Sequence, residues 1–244
     1  MSRGLRRTAA RDVQAAELIK KSGGNVLQRV RAVFEKTGRS KYISHLDLNR
    51  CMLRTFRRSG LPIWYTEGFN PHPYYAFALA LSLGFESRCE IMDFNITDDD
   101  MSMEEIRDRL NAVMPEGMGI VSVALQQKKV TAITHADYSF VLETPAPEKL
   151  KADIDRLLAA EEIPIEKKTK NGIKTVDIKP DMQVLGCETA ENGVVMSLRL
   201  PAGTQTNYNP TLFFEALKNS GSEPFEPAKI MRTAILCEDG SNFV

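Results

Sequence analysis

The sequence predicts an α+β protein built from two tandem ferredoxin-like units, each a β-α-β-β-α-β run with an extra strand or hairpin. Three observations predict it. Residues 27–125 pass from a period-2 to a period-3.6 hydrophobic pattern and back, in the order strand, helix, strands, helix, strand. Residues 137–237 go through the same order, in pattern though not in residues. The second run also carries Asn171-Gly172 and Asn192-Gly193 between β-prone segments, the strongest short hairpin signal. The two runs meet near Gln127–Ala136, which divides the chain into an appendage (1–24), a first unit (25–128) and a second unit (129–244). A length of 244 residues suits two small domains.

Each element has its own signal. Residues 1–24 hold one short amphipathic stretch (Val13, Ala16, Leu18, Ile19) ended by Gly23-Gly24, and read as a short helix or a disordered tail. Leu27–Phe34 alternates as a half-buried strand does. Ser44 with Asp47 forms a Ser-x-x-Asp capping box that starts a helix, and Gly60 ends it. Leu48, Met52, Leu53 and Phe56 share one side of that helix; Arg50, Arg54, Arg57 and Arg58 share the other. Leu61–Thr66, Tyr75–Leu81 and Glu90–Ile96 read as strands, Ser102–Met114 as a helix before Pro115, and Gly119–Leu125 as a closing strand. In the second run the expected elements are strand Asp137–Leu142, helix Pro147–Ala160, and hairpins Ile163–Lys168/Ile173–Ile178 and Gln183–Glu188/Val194–Leu200. A helix from Asn209-Pro210 to Asn219 and strand Ala228–Cys237 complete it.

Composition narrows the function classes. Hydrophobic residues make up 43% and charged residues 26%, as in ordinary globular chains. Lys+Arg and Asp+Glu balance at 32 each, which argues against a generic nucleic-acid coat. The distribution is uneven, however. Arg29 to Arg58 carries nine Lys/Arg against Glu35 and Asp47, whereas Glu86 to Glu116 carries ten acids against three arginines. Cys51, Cys89, Cys187 and Cys237 stand far apart, with no CxxC pair for zinc and no CxxxCxxC triad for a radical SAM cluster. They read as reduced thiols in a cytoplasmic protein that needs neither metal nor cofactor. No apolar run reaches membrane-spanning length, and the first residues lack the apolar core of a signal peptide.

The candidate site lies in KTGRSKYISHLDLNRCMLRTFRRSGLPIWYTEGFNPHP, residues 36–73, which hold two of the three histidines and the only tryptophan. The helix arginines, with Arg29, Arg31, Lys36, Arg39 and Lys41 before them, form either a solvated face or an anion-binding face for polynucleotide phosphate. The loop EGFNPHP is stiffened by Pro71 and Pro73. It presents Asn70 and His72 among Tyr65, Phe69 and Tyr74, the mixture of aromatic and polar groups that single-stranded RNA recognition uses. Phe69 is expected to pack over the arginine helix. His45 is either a general base with Tyr42, Lys41 and Arg50 around a scissile phosphate, or a core histidine oriented by Asn49. His135 has no companions. The lysine-rich hairpin tip (Lys167, Lys168, Lys170, Lys174) reads as edge protection. PAGTQTNYNP, before the last helix, offers donors for a phosphate without a P-loop pattern.

The same block, followed by FALALSLGFES, resembles the bacterial radical-SAM-linked protein family, a domain of unknown function that occurs alone or fused to a radical SAM protein. The resemblance covers about residues 29–87 and is weaker to Arg232-Thr233. It implies a radical SAM protein as partner and supplies no mechanism. Tandem ferredoxin-like units with a basic helix also resemble the CRISPR repeat-processing endoribonucleases, by architecture alone. The expectation is therefore a non-catalytic RNA-binding partner of a radical SAM enzyme, contacting tRNA or rRNA through Lys41, Arg50, Arg54, Arg57, Arg58, Asn70 and His72. The alternatives are a metal-independent endoribonuclease using His45 and a protein–protein adaptor.

Overall fold

The computed structural model describes residues 27–98, 100–169, 172–204 and 206–244. The appendage at 1–24 and the side chains of the lysine-rich tip at 167–171 lie outside the described residues. The described residues are mixed α+β, with four α-helices on one large sheet and a separate hairpin. In order, the first part holds β1 (Gln28–Lys36), α1 (His45–Ser59), β2 (Tyr75–Phe77), β3 (Glu86–Ile96), α2 (Met103–Asn111) and β4 (Met118–Leu125). The second holds β5 (Ile133–Glu143), α3 (Pro147–Ala159), β6 (Pro164–Thr169), β7 (Gly172–Asp177), β8 (Gln183–Ala190), β9 (Gly193–Pro201), α4 (Pro210–Asn219) and β10 (Glu226–Cys237).

Eight strands form one sheet along the path β4-β1-β3-β10-β5-β9-β8, with β2 also on β3; β6 and β7 pair only with each other. The first half therefore runs β4-β1-β3-β2 and the second β10-β5-β9-β8, every pair within a half antiparallel. The halves are joined by a short parallel contact, Glu86 to Met231 and Ser87 to Arg232.

Several elements differ from the sequence reading. Leu61–Thr66 is not a strand but makes only isolated bridges, Ile63 to Ile96 and Tyr65 to Pro73. Pro62 has no N–H to extend a ladder, and its carbonyl is taken by the Thr97 amide at 2.8 Å. The strand expected at Tyr75–Leu81 ends at Phe77, after which the chain leaves the sheet. The next strand is longer than its apolar run because Ser87 pairs with both Lys36 and Arg232. The span expected to connect the two runs already contains the first residues of β5.

The first core places Val30, Ala32 and Phe34 of β1 beneath Leu48, Met52 and Phe56 of α1 and Ile106 and Leu110 of α2. Thr55, not Leu53, completes the buried side of α1, its hydroxyl 3.8 Å from the Met114 sulfur. Burying each large apolar side chain contributes roughly 1.5–3 kcal/mol, so Met52→Ala would remove a fully buried side chain from the core that both helices cover. Alternation along β3 sends Met92, Phe94 and Ile96 to this core and Ile91 to the second, where Phe140, Leu198, Phe213 and Phe214 pack.

A buried polar cluster marks the join. The Arg232 guanidinium donates to Glu90 Oε1 at 2.8 Å, to the Ala80 carbonyl at 2.6 Å and to the Tyr138 hydroxyl at 3.3 Å. Arg232 and Glu90 are each 3% exposed. The Lys36 ammonium, on the neighbouring strand, donates to the carbonyls of Ile43 (3.0 Å) and Lys41 (3.3 Å). Burial pulls the Lys36 pKa down, and the Glu90 carboxylate partly opposes this. Burial also pushes the Cys89 thiol up to about 11.

Candidate nucleic-acid interface

Helix α1 is set by its ends. Ser44 Oγ accepts the Asp47 amide at 3.1 Å and donates to the Asp47 carboxylate at 2.8 Å. Gly60 closes the helix at φ 65°, a left-handed conformation that glycine adopts without strain. The Ser44 hydroxyl first, and then the Arg50 guanidinium, hold the Asp47 carboxyl below its ordinary range. Arg50 pairs with Asp47 at 3.0 Å, so one helix arginine has an acidic partner three residues away. Arg54, Arg57 and Arg58 are exposed, and no ion pair forms to them among the described residues.

The basic surface is smaller than the residue count implies. Arg31 is 1% exposed and Lys36 2%. Arg31 grips Asp93 with two bonds (2.7 and 2.9 Å) and lies 4.1 Å over the Phe243 ring. Lys41 pairs with Glu86 at 3.5 Å and sits 5.4 Å over the exposed Tyr42 ring. Arg29 and Arg39 remain exposed.

The loop 64–74 closes as a narrow hairpin. Thr66 N donates to the His72 carbonyl (2.9 Å), His72 N to Thr66 Oγ1 (3.2 Å) and Tyr74 N to the Trp64 carbonyl (3.0 Å). Trp64 and Tyr74 meet edge to face at 5.5 Å beneath the tip. His72 Nδ1 is tied to Thr66 Oγ1 (3.1 Å) and to the Asn70 carbonyl (3.0 Å), which fixes the ring, while Asn70 and His72 stay exposed. Phe69 does not cover the arginine helix: it stands fully exposed at the tip, where the left-handed φ of Gly68 turns the chain outward. No hydrogen bond or ion pair among the described residues joins this loop to the arginines. The two share the first half through Tyr75, whose hydroxyl donates to the Asn49 carbonyl at 2.9 Å and whose ring meets Phe56.

His45 is exposed, its ring edge-on to Phe77 at 5.5 Å, so it is not a core histidine. Asn49 does not orient its imidazole: the amide donates to the His45 backbone carbonyl at 2.8 Å and accepts from Tyr75. Asn209 caps α4 by accepting the Thr211 amide at 3.0 Å, and its side-chain nitrogen donates to Ser82 Oγ at 2.6 Å. Among the described residues no three His, Cys, Asp or Glu side chains gather as a metal requires, and no helix is long and apolar enough to cross a membrane.

Much of the motif block is structural. Lys36, Ser40 and Ile43 bind the turn after β1 to itself and to Gly117, where an added Cβ would meet Ser40 Oγ and the Thr37 carbonyl at 2.6 Å. FALALSLGFES spans the join: Ala80 meets Arg232, Ser82 meets Asn209, the Gly84 amide meets the Lys41 carbonyl and Glu86 pairs with Lys41. Among the described residues, Arg54, Arg57, Arg58 and Phe69 make no such hydrogen bond or ion pair. A cleft that the sequence did not reveal lies between α1 and the chain after α2. It is about 220 Å³ and lined by Cys51, Arg54, Thr55, Arg58 and residues 112–115.

A family model described as "Uncharacterized protein conserved in bacteria (DUF2344)" matches residues 29–210. No curated protein matches the chain. Among solved structures, the chain is similar at 13% identity and a TM-score of 0.43 to a chain of "Crystal Structure of a Cbf5-Nop10-Gar1 Complex". That similarity covers 84% of this chain and 48% of the other, so this chain spans about half of that one's length.

Proposed function

The chain belongs to the bacterial family described as uncharacterized protein conserved in bacteria (DUF2344), and we propose that it is a non-catalytic RNA-binding partner of a radical SAM enzyme, holding tRNA or rRNA for modification or processing. The observation that carries the reading is the row Arg54, Arg57 and Arg58: three exposed guanidinium groups on one helix with no ion pair among the described residues. Asp47 reaches Arg54 through space without a bonded contact, and guanidinium groups that face water unbonded attract phosphate and release its counterions on contact. The exposed Phe69 ring and the fixed His72 ring supply faces on which unpaired bases stack. The radical SAM partner is supported by the resemblance of residues 29–87.

The architecture belongs to the same proposal. We infer two ferredoxin-like units in tandem, divided between β4 and β5. Support comes from the strand orders: counting the strands of each run, both halves place the fourth first, then the first, third and second, with β6–β7 as an inserted hairpin. Such a scaffold holds α1 rigid on its sheet and leaves its outer side for a ligand.

The endoribonuclease alternative draws on the exposure of His45 and Tyr42. A general base needs a fixed ring and a neighbour to set its proton, and Asn49 points its amide elsewhere. The RNA-binding reading is tested by crosslinking protein to RNA in cells, wild type against an Arg50/Arg54/Arg57→Glu triple variant. Enrichment of one RNA class, lost in the variant, is the expected result. Recovery of a radical SAM protein with no RNA would replace this reading with the adaptor.

A further inference from the structure

We propose that the cleft between α1 and the chain after α2 is a binding site for a single nucleotide unit, with its phosphate on Arg54 and Arg58 and its base against Val113, Met114 and Pro115. This deepens the RNA-binding reading and rests on it.

The lining is divided by chemistry. Arg54 and Arg58 are four residues apart on α1, so their side chains stand one turn from each other on one face. Opposite them, Ala112, Val113, Met114 and Pro115 form an apolar wall where α2 has ended. Cys51 and the buried Thr55, whose hydroxyl meets the Met114 sulfur, complete the lining. Among the described residues no carboxylate lines the cleft, so the two guanidinium groups have no counter-charge within it. Arg50 differs in being bonded to Asp47 from the preceding turn at 3.0 Å, whereas Asp47 acts on Arg54 only through space. Across the helix pair, Arg109 is held by Glu105 and Arg107 by Asp108, so these acids of α2 are engaged on their own helix.

Two cations facing an apolar wall fit a ligand with an anionic end and a flat, weakly polar body. A nucleotide has that form: guanidinium binds phosphate through paired N–H donors, and an apolar wall accepts the face of a base. At about 220 Å³ the cleft is smaller than the roughly 300–1,000 Å³ of pockets that enclose drug-sized ligands. It therefore suits one nucleotide of a strand whose remainder lies along the outer side of α1. An acidic peptide would find the two charges but no use for the wall.

Cys51 makes the site measurable. With the four ribonucleoside 5′-monophosphates as probes, each added alone, alkylation of Cys51 by iodoacetamide is followed by peptide mass spectrometry, with Cys187 as an internal reference. Anisotropy of a labelled single-stranded RNA is measured in parallel. The expected result is that at least one nucleotide slows Cys51 modification and leaves Cys187 unchanged, while inorganic phosphate protects less. Arg54→Gln and Arg58→Gln should each remove the protection. Ala112→Trp fills the cleft from an exposed position; it should remove protection and weaken RNA binding about tenfold, the size of one base-stacking contact. RNA binding that persists unchanged in Ala112→Trp, with no protection by any nucleotide, overturns the cleft and leaves the RNA-binding reading standing. Protection without any RNA binding by wild type overturns the RNA-binding reading and retains the nucleotide site. Stronger protection by a polyglutamate peptide than by any nucleotide overturns the proposal in favour of a protein partner.

Discussion

Arg31 and Arg232 differ from Arg54, Arg57 and Arg58 in one respect, burial. The first two are buried and bound: Arg31 to Asp93 and over Phe243, Arg232 to Glu90, Ala80 and Tyr138. The other three face solvent on α1 with no ion pair among the described residues. A guanidinium taken out of water is tolerated only when most of its donors are met, so the buried arginines are fixed parts of the fold. One left in water keeps its donors for whatever arrives. Under the proposed function, identical side chains divide between architecture and recognition, and the division follows burial rather than position in the motif block.

The comparison breaks most visibly at Arg232. Arg232→Met leaves the Glu90 carboxylate buried and unpaired, which costs about 3–5 kcal/mol. Urea unfolding should show that loss, and an Arg232→Met/Glu90→Leu double variant should recover part of it. Equal stability of the single and double variants would mean that the pair does not hold the halves together. Next in size is an Arg54/Arg57/Arg58→Glu triple variant, whose RNA affinity should fall by on the order of a hundredfold at low salt. Its salt slope should be shallower by about 0.7 for each single-strand phosphate that the variant no longer neutralises. Its unfolding free energy should stay within about 0.5 kcal/mol per substitution, as expected for exposed sites. A matching loss of stability would place these residues with Arg232 instead.

The join also has a pH signature. The Cys89 thiol is pushed up from 9.0 to about 11 by burial. The unfolded chain therefore gives up this proton first, and stability that is complete below pH 9 is lost as pH rises from 9 to 11. A Cys89→Ala variant should lose less across that window, by on the order of 2 kcal/mol, in unfolding measured at about pH 8 and about pH 10.5, on either side of the ordinary thiol range. Identical pH profiles would show that the thiol is free to ionise. The smallest effect belongs to Arg50→Ala. Its charge is already met by Asp47, so RNA affinity should change by about threefold or less, near the size of one exposed ion pair. A loss as large as that of Arg54→Ala would erase the distinction between paired and unpaired arginines.

How far the sequence could be read follows from the range of the interactions. Ser44 and Gly60 bounded α1 because capping is decided within one turn, and Asn192-Gly193 marked its hairpin for the same reason. The burial of Arg31 and Lys36 was not legible. Phe243 covers one from more than 200 residues away, and the turn after β1 closes on the other. Leu53 was expected inside by the helical wheel, but Met114 draws Thr55 in instead. Phe69 was expected to pack because it is large and apolar, but the hairpin places it at the tip, beyond the Trp64–Tyr74 ring contact. The cleft needed the end of α2 beside α1, a neighbour about 60 residues further along the chain.

The parallel contact between β3 and β10 has a consequence for synthesis. Of all the strands in the large sheet, β10 leaves the ribosome last, yet it supplies the counter-charge for Glu90 on a strand made more than 130 residues earlier. Until it arrives, β3 offers a bare edge at Glu86–Ser87 and an acid facing an unfilled space. At about 5–20 residues per second that interval lasts several seconds or longer. The nascent first half thus waits, assembled but uncapped, as an attractive target for chaperones or for mispairing with a neighbouring chain.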